Sequence, residues 1–92
     1  MTEALVDFIH ILHVDDEPDF AEVTATFLER EDDRFTVKTA TSAPDGLEQL
    51  GTDIDCVVSD YDMPGQTGIE FLRTVREENP ELPFILFTGK GS

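Results

Sequence analysis

Short apolar runs alternate with segments of helical periodicity along most of the chain, and this alternation constrains the fold more than any other feature. The runs occupy residues 8–14, 35–40, 56–59 and 84–87 of the 92. Each segment between two runs spaces its apolar residues as a helix does. Helices placed between strands predict parallel pairing with right-handed crossovers. We therefore expect one α/β domain with the element order β-α-β-α-β-α-β.

Capping signals set the expected ends of the second and third helices. Ser42 with Asp45, and Thr67 with Glu70, have the spacing of a capping box. Pro80 should end the third helix before it. The first helix is expected over residues 18–30, with a proline in its first turn.

Apolar residues at helical spacing predict which helix faces pack against the sheet. The predicted core-facing residues are Phe20, Val23, Phe27 and Leu28 in the first helix, and Ile69, Leu72 and Val75 in the third. We interpret His10 and His13, in the first strand, as packing or edge residues.

The chain is strongly acidic, with a formal net charge of −15 and a pI of about 4.1. Direct binding to nucleic acid or to an anionic membrane requires a basic face, so we expect neither activity of this chain. Lys38 and Lys90 are the only two lysines. We interpret the excess charge as adaptation to a high-salt, haloarchaeal-type cytoplasm, where salt screens self-repulsion. An ordinary acidic domain is the alternative.

The start of the chain lacks the features of a secretory signal, and no stretch approaches the roughly 20 apolar residues of a membrane span. The single cysteine, Cys56, permits no internal disulfide. We therefore expect a soluble, cytoplasmic protein.

Carboxylates follow two of the predicted strands. Asp15 and Asp16 come after the first strand, and Asp60 comes after the third. In an open parallel sheet, ligands bind at the carboxyl ends of the strands, so these side chains converge if the two strands are neighbours. Three carboxylates together repel one another, and a hard divalent cation relieves that repulsion. The pattern predicts a Mg²⁺ site that receives a phosphoryl group.

Three motifs now carry a family resemblance. They are Val-Asp-Asp-Glu-Pro at residues 14–18, Val-Val-Ser-Asp-Tyr-Asp-Met-Pro-Gly at 57–65 and Phe-Thr-Gly at 87–89. Together they resemble the receiver domain of two-component response regulators. The resemblance implies a flavodoxin-like (CheY-like) three-layer α/β/α fold with a parallel sheet in the strand order 2-1-3-4.

The resemblance also implies a role for each site residue. Asp60 would accept the phosphoryl group from the phosphohistidine of a sensor histidine kinase. Asp16 would be the main Mg²⁺ ligand, Asp15 would shape the site, and the backbone carbonyl of Asp62 would complete the protein's ligands. Thr88 would be the switch hydroxyl. Such a protein is a signalling module with an unknown downstream effector, and it is not a metabolic enzyme.

The chain departs from the family pattern after the fourth strand. By the resemblance, residues 1–92 are a single receiver domain that lacks the fifth strand, its lysine and the last helices. Lys90 follows the wrong strand to replace that lysine. The exposed edge of the fourth strand would then be covered by a further part of a longer chain, which we favour, or by a second copy in a homodimer.

Two other functions are compatible with the same residues. The segment from Asp60 to Asp62 resembles the nucleophile loop of haloacid-dehalogenase-type phosphatases, although Met63 follows it here. A degenerate receiver that acts only as a docking scaffold is the third interpretation, which the missing lysine favours.

Overall fold

The computed structural model describes residues 7–51, 53–63 and 67–87, and it has the predicted alternation of strands and helices. The elements in chain order are β1 (Ile9–Val14), α1 (Pro18–Glu31), β2 (Phe35–Ala40), α2 (Ala43–Gln49), β3 (Cys56–Asp60), α3 (Gly68–Glu78) and β4 (Phe84–Phe87). The predicted element types are therefore correct, with ends that differ by one or two residues.

The four strands form one parallel sheet in the order β2-β1-β3-β4. β1 pairs with β2 on one side and with β3 on the other, so β1 and β3 are neighbours as the site prediction requires. β4 pairs with β3. Since β1 and β3 are central strands buried on both faces, their runs are almost continuously apolar, whereas β2 alternates.

One face of the sheet carries the main hydrophobic core, which lies under α2 and α3. Its buried members are Leu12, Val14, Ala40, Ala43, Ile54, Val57, Met63, Phe71 and Val75. Phe71 is fully buried and meets the ring of Phe84 edge-on, with 5.6 Å between ring centroids. The predicted stripe of α3 is thus wrong at one position, since Ile69 remains 36% exposed and the helix buries Phe71 instead.

The predicted inner face of α1 is wrong at three of its four residues, and only Leu28 is half-buried as expected. Phe20, Val23 and Phe27 are exposed, at 40%, 66% and 60%. The helix packs against β2 and β1 through a neighbouring stripe of mostly small residues, which are Ala21, Thr24, Ala25 and Leu28. The large apolar residues lie one position away from this stripe, on the outer side of the helix.

The capping predictions hold for α3 and in part for α2. Thr67 Oγ1 accepts a hydrogen bond from Glu70 N (3.3 Å), and Glu70 Oε1 accepts one from Thr67 N (3.1 Å). At α2, Ser42 Oγ accepts from Asp45 N (3.1 Å), but the Asp45 carboxylate returns to the preceding residue, Thr41. Among the described residues, no helix combines the length and apolarity that crossing a membrane requires.

Candidate metal centre at the carboxyl ends of the strands

The register of the two central strands brings the predicted acidic residues to one point. Val14 of β1 lies opposite Ser59 of β3. The next residues along each strand, Asp15 and Asp60, are therefore level with each other at the carboxyl edge of the sheet. Asp15 N donates a hydrogen bond to Ala40 O (2.9 Å), so the β2 side of the ladder also continues to this level.

Asp15, Asp16 and Asp60 form one carboxylate cluster. One oxygen from each of the three carboxylates can be chosen so that all three oxygens lie within 4.8 Å of one another. Asp15 and Asp60 are fully buried, and Asp16 is half-buried. In the part of the chain that the structure describes, this is the only group of three metal-ligating side chains so arranged. The prediction that these side chains meet is confirmed as geometry.

The local backbone fixes the carboxylate of Asp15. Its Oδ1 accepts a hydrogen bond from Glu17 N (2.9 Å), two residues along the chain. Such a local turn is typical of aspartate ahead of a helix. Pro18 then begins α1, where its missing N–H costs nothing. The strand-to-helix turn therefore holds this side chain toward the cluster.

The loop after Asp60 is held at both ends. The Asp60 carbonyl oxygen accepts a hydrogen bond from Ser59 Oγ (3.0 Å), and the Tyr61 carbonyl accepts one from Gly68 N (2.7 Å). Met63 is only 7% exposed and belongs to the core under α2 and α3. The Asp62 side chain between these anchors is exposed.

His13 lies beside the cluster and is fully buried. Burial lowers the pKa of His13, while the negative charges of Asp15 and Asp60 act in the opposite direction and are weaker. The imidazole is therefore neutral at pH 7 and brings no positive charge to offset the carboxylates.

The donor set fits a hard divalent cation. Burial strengthens the repulsion among carboxylates, because the surrounding medium screens them less than water does. Mg²⁺ is usually held by a few carboxylates together with water and phosphate oxygens, which is the chemistry that this cluster offers. Two of the three carboxylates are fully buried, and this distinguishes the cluster from ordinary surface acidity.

Two predicted positions cannot be compared with the structure. Thr88, the expected switch hydroxyl, and Lys90 lie outside the described residues. Sequence reasoning does not predict the anchoring roles of Met63 and Gly68, because both depend on contacts between distant segments. The position of His13 beside the cluster has a signal in the sequence, since a strand residue two positions before Asp15 shares its face of the sheet.

Comparison with known proteins identifies relatives over most of the chain. The model of the response regulator receiver domain family matches residues 11–92. The response regulator SaeR of Staphylococcus aureus is 35% identical over 81 residues, which are 88% of this chain and 35% of SaeR. The chain therefore spans about a third of the length of this curated relative.

Solved structures agree with that relationship. The response regulator protein TrrA of Thermotoga maritima, solved in complex with Mg²⁺-BeF, has a TM-score of 0.82 and 30% identity, covering 91% of this chain and 72% of TrrA. A structure of the histidine kinase ThkA in complex with TrrA gives a TM-score of 0.81 and 29% identity, covering 92% of this chain and 72% of that one. The parallel four-stranded sheet, in the predicted order 2-1-3-4, therefore matches the fold of these solved structures.

Proposed function

We infer that this chain, which belongs to the family of response regulator receiver domains, accepts a phosphoryl group on Asp60 and changes its partner interactions in response. The observation that carries this inference is the position of Asp60. Its fully buried carboxylate lies at the end of β3, within a cluster that two further carboxylates complete. A buried nucleophile beside a metal-ligating pair is what transfer to an aspartate requires.

The proposed reaction is an in-line displacement at phosphorus. A carboxylate oxygen of Asp60 forms a bond to phosphorus while the bond between phosphorus and a histidine nitrogen of the donor breaks. The leaving nitrogen keeps the bonding electron pair and takes up a proton, so the products are an aspartyl phosphate and a neutral imidazole. Little covalent chemistry is asked of the protein beyond alignment and charge neutralisation.

Asp16 would be the main ligand of a resident Mg²⁺, with Asp15, Asp60 and the backbone carbonyl of Asp62 completing the protein's share. When bound, the ion supplies positive charge to the phosphoryl oxygens. The turn that fixes Asp15 keeps its carboxylate toward the cluster. Thr88 is assigned the switch hydroxyl on the strength of the family motif at residues 87–89.

A sensor histidine kinase is the proposed donor, and the relative TrrA, solved in complex with the kinase ThkA, supports that class of partner. We assign the chain to signalling, with no metabolic turnover of its own. The effector that reads the phosphorylated form has no signal in the sequence. We also propose a cytoplasmic location, as expected from the sequence.

Residues 1–92 are proposed to act as one receiver domain whose sheet extends further in the working protein. Among the described residues, β4 pairs on one side only, with β3, and Ile85 of β4 is 54% exposed. An open apolar edge of this kind attracts another strand. A further segment of a longer chain is the favoured partner for that edge, and a second copy in a homodimer is the alternative.

The test of the proposed function is labelling by a small acyl phosphate. The purified chain is incubated with acetyl phosphate in the presence or absence of Mg²⁺, and its intact mass is followed with time. One phosphoryl group per chain is expected, with Mg²⁺ required and with Asp60→Asn unlabelled. Asp33→Asn, which removes an exposed carboxylate from the turn before β2, is the matched control and should label normally.

The same sample distinguishes the alternatives. Repeated turnover of a phosphate monoester such as p-nitrophenyl phosphate, lost in Asp60→Asn, would assign the chain to the phosphatases. Neither labelling nor turnover, in a chain that is folded by circular dichroism, would leave the docking scaffold as the function.

A further inference from the structure

The first turn of α3 approaches the loop after Asp60 more closely than any side chain would allow. A Cβ atom placed on Gly68 would lie 2.6 Å from the carbonyl oxygen of Asp60 and 2.9 Å from Cα of Tyr61. It would also lie 2.5 Å from Cδ1 of Leu86. Real Cβ atoms essentially never come within 3.0 Å of such neighbours. Two of these three atoms belong to the backbone, which cannot rotate away as a flexible side chain can.

Gly68 also makes a hydrogen bond to the loop that follows Asp60. Gly68 N donates a hydrogen bond of 2.7 Å to the Tyr61 carbonyl. The close approach and the hydrogen bond join the start of α3 to the peptide that immediately follows Asp60. A residue with any side chain at position 68 would push this peptide outward by several tenths of an ångström.

α3 itself is a firm support for that contact. Its first turn is closed by the reciprocal hydrogen bonds of Thr67 and Glu70. Its inner face is fixed by Phe71 and Val75, which are both fully buried. A displacement of the loop relative to α3 would therefore be a displacement relative to the core as well.

Met63 anchors the other end of the loop in the core, so Asp62 lies between two fixed points. We propose that Gly68 is a positioning residue, which sets the backbone of residues 60–62 so that the Asp60 carboxylate and the Asp62 carbonyl face one bound Mg²⁺ ion. This inference rests on the proposed function, because it concerns the geometry of the same site. Displacements approaching 1 Å in such alignments cost on the order of a hundredfold in rate.

Gly68→Ala is the direct test, with Gly46→Ala as the matched control. Both changes add one methyl group to a helix, where alanine is intrinsically better than glycine. The three atoms nearest a Cβ on Gly46 are side-chain atoms of Phe71 and Val14, the closest at 3.1 Å, so it presses on the core, and none of these atoms belongs to the backbone of residues 60–62. A purely structural role for Gly68 would thus give the two variants similar behaviour per folded molecule.

Two measurements are made on each variant, normalised to the folded fraction. The first is the initial rate of labelling by acetyl phosphate at saturating Mg²⁺. The second is Mg²⁺ affinity, followed by tyrosine fluorescence, since Tyr61 is the only tyrosine and the chain has no tryptophan. Gly68→Ala should lose about tenfold or more in labelling rate and bind Mg²⁺ more weakly. Gly46→Ala should lose clearly less than Gly68→Ala in both, since its nearest neighbours are side-chain atoms and not the backbone of residues 60–62.

A second variant removes the hydrogen bond from Gly68 N to the Tyr61 carbonyl by exchanging this N–H for an oxygen atom, and it adds no side chain. Ligation at Cys56 allows the peptide N–H of residue 68 to be replaced by an ester oxygen in a synthetic segment of residues 56–92. The ester protein should label several-fold more slowly than a wild-type chain assembled by the same ligation. It decides the question if Gly68→Ala does not fold.

These measurements distinguish a failure of the positioning role of Gly68 from a failure of the proposed function. If wild type labels and a folded Gly68→Ala or ester protein labels at the wild-type rate, the positioning role is wrong while the proposed function stands. Equal losses in Gly68→Ala and Gly46→Ala would also overturn it. If wild type itself neither labels nor binds Mg²⁺, the proposed function fails and this inference fails with it.

Discussion

The carboxylate groups of Asp15 and Asp60 each place an oxygen within 4.8 Å of the other, although both side chains are fully buried. The two residues are 45 positions apart in the chain, and the pairing of Val14 with Ser59 brings them level. Two buried negative charges so close together oppose folding unless something offsets them. Their oxygens are the ligands that a hard divalent cation prefers, and binding such an ion would offset part of this cost.

Repulsion among the three carboxylates should lower the free energy of unfolding measurably when no metal is present. In buffer with a chelator, Asp60→Asn should raise the free energy of unfolding by roughly 1–2 kcal/mol, because it removes one of three repelling carboxylates. Mg²⁺ at about ten times its dissociation constant should stabilise wild type by about 1.4 kcal/mol, and the variant by much less. Urea unfolding with and without Mg²⁺ checks both signs. Asp60→Asn that is less stable than wild type without metal would show that the cluster is not under electrostatic strain.

The core under α3 should depend on Phe71 far more than on the exposed phenylalanines. Phe71→Ala should cost roughly 3–5 kcal/mol, since it leaves a cavity beside Phe84 and the α2 backbone. Phe27→Ala, at a residue that is 60% exposed, should cost less than about 1 kcal/mol. Chemical unfolding of both variants makes the comparison, and similar losses would contradict the described burial.

Phe71 is buried while Phe20 and Phe27 are exposed, and this difference shows what the sequence alone can and cannot predict. Spacing predicts that α1 and α3 each have an apolar stripe, and the type and order of every element follow from such spacing. Spacing does not say which of two adjacent stripes faces the sheet. In α1 the stripe of Ala21 and Leu28 packs inward, so Phe20 and Phe27 lie outside.

Some residues of the candidate site can also be predicted from the sequence, and others cannot. Asp15, Asp16 and Asp60 are predictable because each directly follows a strand, and the ends of neighbouring parallel strands meet. The close approach of Gly68 to Asp60 is not predictable, because it depends on how the helix and the loop pack in three dimensions. A glycine in a sequence does not reveal what a side chain there would meet.

A surface ion pair gives a prediction for low pH. Asp32 accepts hydrogen bonds from its neighbour Arg34, which lower the pKa of this carboxyl from 3.8 to about 2. Since the native pKa is below the ordinary value, the pair contributes to stability above pH 3.8 and loses that contribution as the pH falls through about 2. NMR titration of the Asp32 side chain should give that low value. In Arg34→Gln the pKa should return toward 3.8; a midpoint unchanged by this substitution would rule out the pair as its cause.

The net charge of −15 predicts a dependence on salt. Raising KCl from about 0.1 M to 2 M should increase the free energy of unfolding by roughly 1 kcal/mol or more, because salt screens repulsion between exposed carboxylates. A variant in which the exposed Glu22, Asp33, Glu48 and Glu77 become their amides should respond less. A wild-type stability that is flat or falls over this range would favour the ordinary acidic domain over adaptation to high salt.

We propose that Asp60 and its neighbouring carboxylates form one Mg²⁺-dependent phosphoryl site. Isothermal titration of the chain with beryllofluoride, a mimic of the phosphoryl group, is the decisive experiment. One equivalent is predicted to bind when Mg²⁺ is present, with binding lost when Mg²⁺ is omitted, lost in Asp60→Asn and retained in Asp33→Asn. Binding that persists without Mg²⁺ or in Asp60→Asn, or that is absent from the folded wild-type chain under all conditions, would show that Asp60 does not lie in such a site.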